Sequence, residues 1–187
     1  SSKVEKRHRK KTLKVKNEIL FLNKFAKLKR ESSLAKIIAI TGSVGKTSLK
    51  NLIKQLLQNF EKTYSSPRSY NNHLGVPISL SNLTGEDKYG VFEIGMSKKG
   101  EIDNLSKLIK PHIGIITNIG EAHIENFTNI RGIAKAKSEI INSIERNGTI
   151  ILNRDDKFFN FLRKKAKLKK LKIITFGKDK KSDIFPL

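Results

Sequence analysis

The sequence contains no cysteine. Neither a disulfide framework nor a thiolate metal site can therefore form, and any metal site must use oxygen and nitrogen ligands. No apolar run approaches the roughly 18 residues that a membrane-spanning helix needs. The N-terminus is basic, but it lacks the apolar segment and the small-residue cleavage site of a secretory signal. We therefore expect no membrane span and take the cytoplasm as the default location.

Acidic residues are scarce: 17 Asp and Glu residues stand against 39 Lys and Arg residues, for a formal net charge of +22. One interpretation is an electrostatic footprint for nucleic acid or anionic lipid. The other is composition drift, because AT-rich coding sequence favours lysine, asparagine and isoleucine together. The charge is spread along the chain, although residues 3–16 and 163–172 are denser, and no aromatic-rich nucleic-acid-binding stretch accompanies it. We favour composition drift, and we expect a monomer with no specific nucleic-acid partner.

The length of 187 residues is typical of one domain. Residues 1–36 hold a basic stretch followed by apolar residues at roughly helical spacing. We interpret this segment as a basic linker helix that packs on the domain, with a basic surface-binding helix as the alternative. The apolar residues that predict the helix are Ile19, Leu22, Phe25, Ala26 and Leu28.

From residue 37 onward, short apolar strands alternate with amphipathic helices. The predicted strands cover residues 37–40, 89–94, 112–117, 149–152 and 171–176, and the predicted helices cover 46–60, 101–109, 130–146 and 158–166. Continuously apolar strands are typical of a sheet that is buried on both faces. The alternation predicts an α/β fold with a mostly parallel sheet flanked by helices, whose ligands bind at the carboxyl ends of the strands. The first of these helices has an apolar stripe of Leu49, Leu52, Ile53, Leu56 and Leu57.

A phosphate-binding loop is predicted at residues 41–48, TGSVGKTS, between the first strand and its helix. Gly42 and Gly45 permit positive φ and close backbone approach, so that N–H groups can point at phosphate oxygens. Lys46 supplies charge to the outer phosphates, and the Thr47 hydroxyl can take one place in an octahedral Mg²⁺ shell. The residues expected to bind ATP are Gly42, Ser43, Val44, Gly45, Lys46, Thr47 and Ser48.

The loop departs from the general pattern at Ile40, where the full form begins with glycine. An ordinary glycine-containing turn is the alternative interpretation. Such a turn would not explain why Gly-Lys-Thr opens a helix directly after a buried strand. We therefore predict nucleotide binding in spite of the missing glycine.

Further motifs follow the loop in a fixed order: YNNHLGVP at 70–77, EIGMSKKGEI at 93–102, TNIGEAHIE at 117–125, AKAKSEI at 134–140 and LNRDD at 152–156. Together with the ITGSxGKT form of the loop, they resemble the central, ATP-binding domain of the Mur ligase family. The resemblance spans residues 37–176. The combination of motifs is much more specific than the phosphate loop alone.

Glu93 ends a predicted strand, where a single carboxylate can hold magnesium beside Thr47. A helix-capping or solvated glutamate is the alternative, but its position and the following Gly95 favour the metal site. The resemblance likewise implies that Glu93 binds magnesium.

Lys46, His123 and Lys137 are the catalytic residues that the resemblance implies. A lone histidine is more often a hydrogen-bonded loop residue, and imidazole is not a preferred ligand of magnesium. The resemblance implies that His123 helps to bind a second divalent ion, with orientation of phosphate as the fallback role. Lys135 and Lys137 are two residues apart on a helix, so only one can face the cleft. The resemblance selects Lys137 as a carbamylated lysine that supports the metal, whereas its residue type alone indicates a solvated lysine.

Asn71 and Asn72 lie in a loop rich in Ser, Pro and Asn, where a role in a turn is the default. The resemblance implies that they contact a uridine-nucleotide peptide substrate. Residues 153–156 are interpreted as a strand end and helix cap, with Asp155 or Asp156 at the N-cap.

The resemblance implies ATP- and Mg²⁺-dependent amide formation through an acyl phosphate, in which D-alanyl-D-alanine is added to UDP-N-acetylmuramoyl-tripeptide. This reaction belongs to peptidoglycan synthesis, and so to cell-wall biogenesis, cell shape and cell division. Residues 1–36 would be the remnant after an N-terminal domain and 37–187 a truncated central domain, with the C-terminal domain absent. We expect such a chain to retain only nucleotide and metal binding. A folylpolyglutamate synthase relative and a polyanion-binding P-loop module are the alternatives.

Overall fold

Six parallel strands form one sheet in the computed structural model, which describes residues 12–122 and 124–186. The strand order is β2-β3-β1-β4-β5-β6, and every neighbouring pair runs parallel. This confirms the predicted α/β fold. The strands are β1 (Lys36–Thr41), β2 (Thr63–Ser65), β3 (Tyr89–Glu93), β4 (Ile113–Ile116), β5 (Thr149–Asn153) and β6 (Lys172–Phe176).

Helices cover both faces of the sheet, because alternate residues of a strand point to opposite sides. In β1, Ile38 and Ile40 pack with partly buried leucines of the helix that follows, whereas Ile37 and Ala39 face the larger core on the other side. The helices are α1 (Glu18–Glu31), α2 (Lys46–Leu57), α3 (Gly75–Ser81), α4 (Glu101–Ile109), α5 (Ile130–Lys137) and α6 (Phe159–Leu168).

The strand order places the end of β1 between the ends of β3 and β4. Because neighbouring strands are parallel, Thr41, Glu93 and Ile116 lie at one edge of the sheet. The chain after β1 leads directly into α2, and β3 and β4 lie on either side of β1. This is the crevice at the carboxyl ends of the strands where such folds bind ligands.

The continuous helix predicted over residues 130–146 is wrong in its second half. The α-helix ends at Lys137, and Ser138–Ser143 is a 3₁₀ helix. Within this segment the Glu139 carboxylate accepts hydrogen bonds from the backbone N–H groups of Gly100, at 3.0 Å, and Asp103, at 3.1 Å. The helix change therefore coincides with a contact to the first turn of α4, which local periodicity does not encode.

Two elements, β2 and α3, were not predicted. The strand is only three residues long and lies at the edge of the sheet, so it carries little periodic signal. The short helix contains Pro77 in its first turn, where proline is tolerated because the N–H group has no partner within the helix. The helix predicted over 46–60 ends earlier, at Leu57.

The predicted N-terminal helix is confirmed as α1, but much of its predicted apolar stripe is exposed: Phe25 is 43% and Leu28 64% exposed. Its buried residues are Ala26 and Arg30, and the helix contacts α3 and α4. The Arg30 guanidinium donates to the carbonyl oxygens of Ile109, at 2.6 Å, and Lys110, at 2.7 Å. Across the described residues, no helix is both long and apolar enough to cross a membrane.

Replacing Arg30 with methionine is expected to lower the free energy of unfolding by about 2 kcal/mol, because two carbonyls at the end of α4 lose a charged donor. Urea denaturation of the wild type and the variant measures this difference. Lys24→Met, an exposed lysine on the same helix, is the matched control and should change stability by less than about 0.5 kcal/mol. Equal midpoints for the wild type and Arg30→Met would show that this contact does not dock the helix.

Candidate nucleotide-binding site

The loop between β1 and α2 requires glycine at two positions. Gly42 has φ of 149°, and a Cβ atom on it would lie 1.8 Å from the Thr117 hydroxyl oxygen. Gly45 has φ of 84° and is the N-cap residue of α2. Residues that carry a side chain rarely adopt these backbone conformations, and at Gly42 there is also no space for a Cβ atom. The loop thus passes close to the end of β4 before it enters the helix.

The segment after β4 braces the loop. The Asn118 side-chain oxygen accepts hydrogen bonds from the N–H groups of Ser43, at 3.1 Å, and Val44, at 3.0 Å. The Thr117 hydroxyl donates to the Val44 carbonyl at 2.6 Å, and the Gly120 N–H donates to the Ser43 hydroxyl at 2.8 Å. Two N–H groups that were predicted to face phosphate are therefore directed at Asn118 in this arrangement.

Thr117 and Asn118 belong to the motif at residues 117–125, but the motif predicts no role for either residue. Their signal was the position at the end of a central strand, next to the phosphate loop. The first N–H groups of a helix such as α2 have no partner within the helix, and a helix end of this kind can bind an anion.

Lys46 and Lys137 converge on one backbone oxygen. The ammonium of Lys46 donates to the Gly42 carbonyl at 3.0 Å, and the ammonium of Lys137, on α5, donates to the same oxygen at 3.0 Å. Lys137 is only 2% exposed. Its burial, together with the charge of Lys46, lowers the pKa of Lys137 to about 7. Lys135, two residues earlier, is exposed, so Lys137 is the lysine of this pair that lies at the loop.

Glu93 is buried at the end of β3, and both of its oxygens accept hydrogen bonds. The Thr47 hydroxyl donates to one at 2.7 Å, and the Asn71 side-chain amide donates to the other at 2.7 Å. The carboxylate and the hydroxyl thus lie together beside the phosphate loop. This donor set suits Mg²⁺, which is usually held by one or two carboxylates and keeps several waters.

Within the described part of the chain, the other predicted metal ligands are not seen together with Thr47 and Glu93. Across residues 12–122 and 124–186, no cluster of three or more acidic or histidine side chains forms a metal-binding group. His123 lies outside the described residues, so its role in binding a second ion stays a prediction. Of the predicted ligands, the two unmodified side chains that carry oxygen, Thr47 and Glu93, lie beside the loop.

Asn71 and Asn72 both serve the local backbone. The carbonyl of Asn71 accepts from the Gly95 N–H at 2.8 Å, and the Asn72 side chain accepts from the N–H groups of Leu74, at 3.1 Å, and Gly75, at 2.8 Å. Both also line a cleft of about 460 Å³ that reaches Lys46 and Lys137. The positions predicted for nucleotide and substrate therefore share one cleft.

A shallower groove of about 550 Å³ lies between α4, the Ser138–Ser143 segment and α6. Two carboxylates line it: Glu139 is already bonded to the first turn of α4, and Asp103 is paired with Lys107. We place the functional site at the phosphate loop, because Lys46, Lys137 and the Thr47–Glu93 pair meet there.

Neither Asp155 nor Asp156 is the N-cap of α6, which is Phe158. Asp156 instead accepts hydrogen bonds from the N–H groups of Ile119, at 2.6 Å, and Phe158, at 2.8 Å. This carboxylate joins the segment after β4 to the start of α6. The prediction of a helix cap at Asp155 or Asp156 was therefore wrong. Asp156 holds Ile119, whose neighbour Gly120 bonds to Ser43 of the phosphate loop.

A parallel sheet whose glycine-containing loop leads into a helix that begins with lysine and threonine is typical of P-loop folds. The family model for the Mur ligase middle domain matches residues 40–186. The chain therefore belongs to the Mur ligase family and contains its middle domain.

The similar proteins agree with this assignment. The UDP-N-acetylmuramoyl-tripeptide–D-alanyl-D-alanine ligase of Rickettsia prowazekii is 42% identical over 160 residues, which cover 86% of this chain and 36% of that protein. The crystal structure of MurF from Acinetobacter baumannii superposes with a TM-score of 0.85 at 37% identity, covering 92% of this chain and 38% of that one. MurF from Thermotoga maritima, in complex with ADP, gives a TM-score of 0.79 at 30% identity, covering 89% and 38%. The chain thus spans little more than a third of the length of these relatives.

Proposed function

We propose that this chain is the nucleotide- and magnesium-binding part of an ATP-dependent ligase that adds D-alanyl-D-alanine to UDP-N-acetylmuramoyl-tripeptide. The observation that carries the proposal is the convergence of Lys46 and Lys137 on Gly42, beside the Thr47–Glu93 pair. Relatives with this ligase name match most of the chain and support the choice of substrates. They do not favour a folylpolyglutamate synthase relative. We also propose that the protein is a monomer located in the cytoplasm.

Nucleotide binding would rest on the start of α2 and on Lys46. The helix N-terminus offers N–H groups and a positive dipole end to phosphate. The Lys46 ammonium is bonded to the carbonyl oxygens of Gly42 and Ser43, and it would turn to an outer phosphate when nucleotide binds. The ADP complex of a relative supports a purine nucleotide as the ligand. Thr47 and Glu93 would hold Mg²⁺, which neutralises charge on the phosphates when bound.

The reaction that we propose for the whole ligase has two displacements. A substrate carboxylate oxygen attacks the γ-phosphorus, and the bond to ADP breaks to give an acyl phosphate. The amine of D-alanyl-D-alanine then attacks the acyl carbon, phosphate leaves with the bonding electrons, and the nitrogen loses a proton. The residues of this chain act by positioning and charge neutralisation. Lys46 stabilises charge on the transferred group, and Asn71 and Asn72 line the cleft on the proposed substrate side.

We include carbamylation of Lys137 in the proposal. The uncharged amine attacks CO₂ and releases one proton, and the lysine becomes an oxygen-bearing anion. Burial supports this step, because a pKa of about 7 leaves a substantial uncharged fraction at neutral pH. His123 is proposed to assist a second divalent ion.

Replacing Lys46 with alanine is expected to weaken Mg²⁺–ADP binding by about 10- to 100-fold, because hydrogen bonds to charged groups contribute about 1.5–3 kcal/mol. Calorimetric titration of the 187-residue chain with Mg²⁺–ADP measures the change in affinity. Lys54→Ala, two turns further along α2, is the control and should bind like the wild type. Equal affinity of Lys46→Ala and the wild type would refute the nucleotide site.

We expect that the chain alone binds nucleotide but does not ligate. ADP release is measured with UDP-N-acetylmuramoyl-tripeptide, with and without D-alanyl-D-alanine. Turnover that depends on the dipeptide would contradict this expectation. Binding to random nucleic acid that falls with salt and ignores Lys46→Ala would instead support a polyanion-binding module.

A further inference from the structure

Lys50 is a buried lysine that the proposed chemistry does not use. It lies one turn after Lys46 on α2 and is 1% exposed. The apolar stripe predicted for this helix is partly exposed instead, at Leu52 and Leu56. Burial of an ammonium costs free energy unless its donors are satisfied, and an apolar side chain of similar size would avoid that cost. The position of Lys50 therefore calls for a reason other than packing.

The ammonium of Lys50 binds the chain segment that follows β2. It donates to the carbonyl oxygen of Ser66 at 2.8 Å and also to that of Arg68. Arg68 has φ of 43°, a conformation that L-residues adopt only with support from their surroundings. One side chain on the nucleotide-binding helix thus holds two carbonyls of a bent segment 16 and 18 residues further along.

The same segment leads to the proposed magnesium ligand. The Ser66 hydroxyl accepts a hydrogen bond from the Glu93 N–H at 3.3 Å, and the Ser66 N–H donates to Val91 at 3.0 Å. Three residues after Arg68, the Asn71 amide donates to Glu93 at 2.7 Å. The carbonyl oxygens that Lys50 binds therefore belong to the segment that runs from Ser66, beside β3, toward Asn71, whose amide contacts the Glu93 carboxylate.

Charges around Lys50 are consistent with this arrangement. Burial lowers its pKa, the negative charge of Glu93 opposes that shift, and the positive charge of Lys54 adds to it. The geometry of the two carbonyl contacts does not depend on these shifts.

We propose that Lys50 is a positioning residue that holds segment 66–71 against β3, so that Asn71 orients Glu93 toward Thr47. The inference rests on the proposed function, because Glu93 is a magnesium ligand only if the chain binds a magnesium nucleotide. Lys50 itself touches neither nucleotide nor metal in this scheme. It couples the helix that carries the phosphate-binding lysine to the wall of the cleft formed by Asn71.

The test compares ADP affinity in Mg²⁺ with ADP affinity in EDTA for the wild type and Lys50→Met. The ratio of the two affinities is the magnesium-dependent gain. We expect Lys50→Met to lower this gain by about tenfold, as substitutions behind a metal ligand commonly do, while the affinity in EDTA stays within about twofold. Lys54→Met is the matched control, and Lys50→Arg should recover part of the gain because it keeps the charge and the donors.

A double-variant cycle separates positioning from a general structural role. Asn71→Ala should lower the magnesium-dependent gain by a similar factor, and Lys50→Met combined with Asn71→Ala should lower it little further. Additive losses would show that Lys50 does not act through Asn71. An equal loss in Mg²⁺ and in EDTA, or no loss in either, would also overturn the proposal.

Failure of the proposed function has a different signature. If the wild type shows no magnesium-dependent gain, the proposed function and this inference both fall. If the wild type shows the gain and Lys50→Met keeps it, only the role of Lys50 falls. Circular dichroism and urea midpoints identify the folded variants. Should Lys50→Met not fold, Lys50→Gln takes its place, and retention of the full gain by that variant overturns the proposal.

Discussion

Replacing Gly42 with alanine is expected to lower the free energy of unfolding by about 3 kcal/mol and to weaken ADP binding roughly a hundredfold. The added Cβ would lie 1.8 Å from the Thr117 hydroxyl oxygen, and the backbone has φ of 149°. Relief requires movement of the loop or of Thr117, whose Cβ and backbone nitrogen would also lie only 3.1 Å from the added Cβ. Because the Gly42 carbonyl accepts from both Lys46 and Lys137, such movement displaces the two lysines as well. Urea denaturation and calorimetric titration measure the two effects.

Gly45→Ala is the matched control for this prediction. Its backbone also has positive φ, 84°, but no atom other than those of the adjacent residues lies within 4 Å of the added Cβ. We expect it to cost only about 1 kcal/mol, from backbone strain alone. Thr117→Ala combined with Gly42→Ala should recover part of the stability, since the hydroxyl that clashes is removed. Equal costs for Gly42→Ala and Gly45→Ala would show that the close approach to Thr117 is unimportant.

Replacing Lys137 with methionine is expected to stabilise the fold at low pH. The pKa of Lys137 is about 7 in the folded chain against 10.5 for an ordinary lysine. Between these values the unfolded chain binds the extra proton, so stability rises with pH, and below pH 7 the whole penalty is present. Methionine removes the penalty and keeps most of the packing. The gain should be on the order of 4 kcal/mol at pH 6 and should shrink to below about 1 kcal/mol by pH 10.

Urea denaturation at several pH values in buffers depleted of CO₂ measures this gain, since carbamylation would otherwise alter the charge of Lys137. Lys135→Met, on the exposed side of the same helix, should change stability little at any pH. A gain for Lys137→Met that is the same at pH 6 and pH 10 would contradict the depressed pKa. The stabilised variant should also lose any carbamate-dependent function, as is common when a functional group that destabilises the fold is removed.

Much of the fold could be predicted because its signals are local. Buried parallel strands appear as short apolar runs, and α4 was predicted with the bounds that the structure gives it. The errors fall where a distant contact decides local structure. The helix predicted over 130–146 changes to 3₁₀ geometry where Glu139 reaches the start of α4. The three-residue strand β2 depends on pairing with β3 rather than on a pattern of its own.

The features of the site also fall into those that the sequence revealed and those that depend on distant contacts. Its phosphate loop was visible in the sequence, since Gly42, Gly45 and Lys46 must be close neighbours to do their work. The roles of Asn118 at the loop and of Arg30 in docking α1 were not visible in the sequence, because each side chain acts on backbone atoms more than 70 residues away. No spacing rule connects residues over such distances. A buried lysine at position 50 was likewise unexpected, since its neighbours on the helix predicted an apolar stripe.

The sequence by itself determined that a phosphate loop follows a buried strand in an α/β domain, and its motifs pointed to one ligase family. Both conclusions rest on residues close together in the chain. Only the tertiary structure decided that Lys137 lies buried at Gly42, 95 residues away, and that Lys50 holds the segment leading to Asn71. Strand order and burial set these contacts, and burial in turn sets the pKa of Lys137 through desolvation.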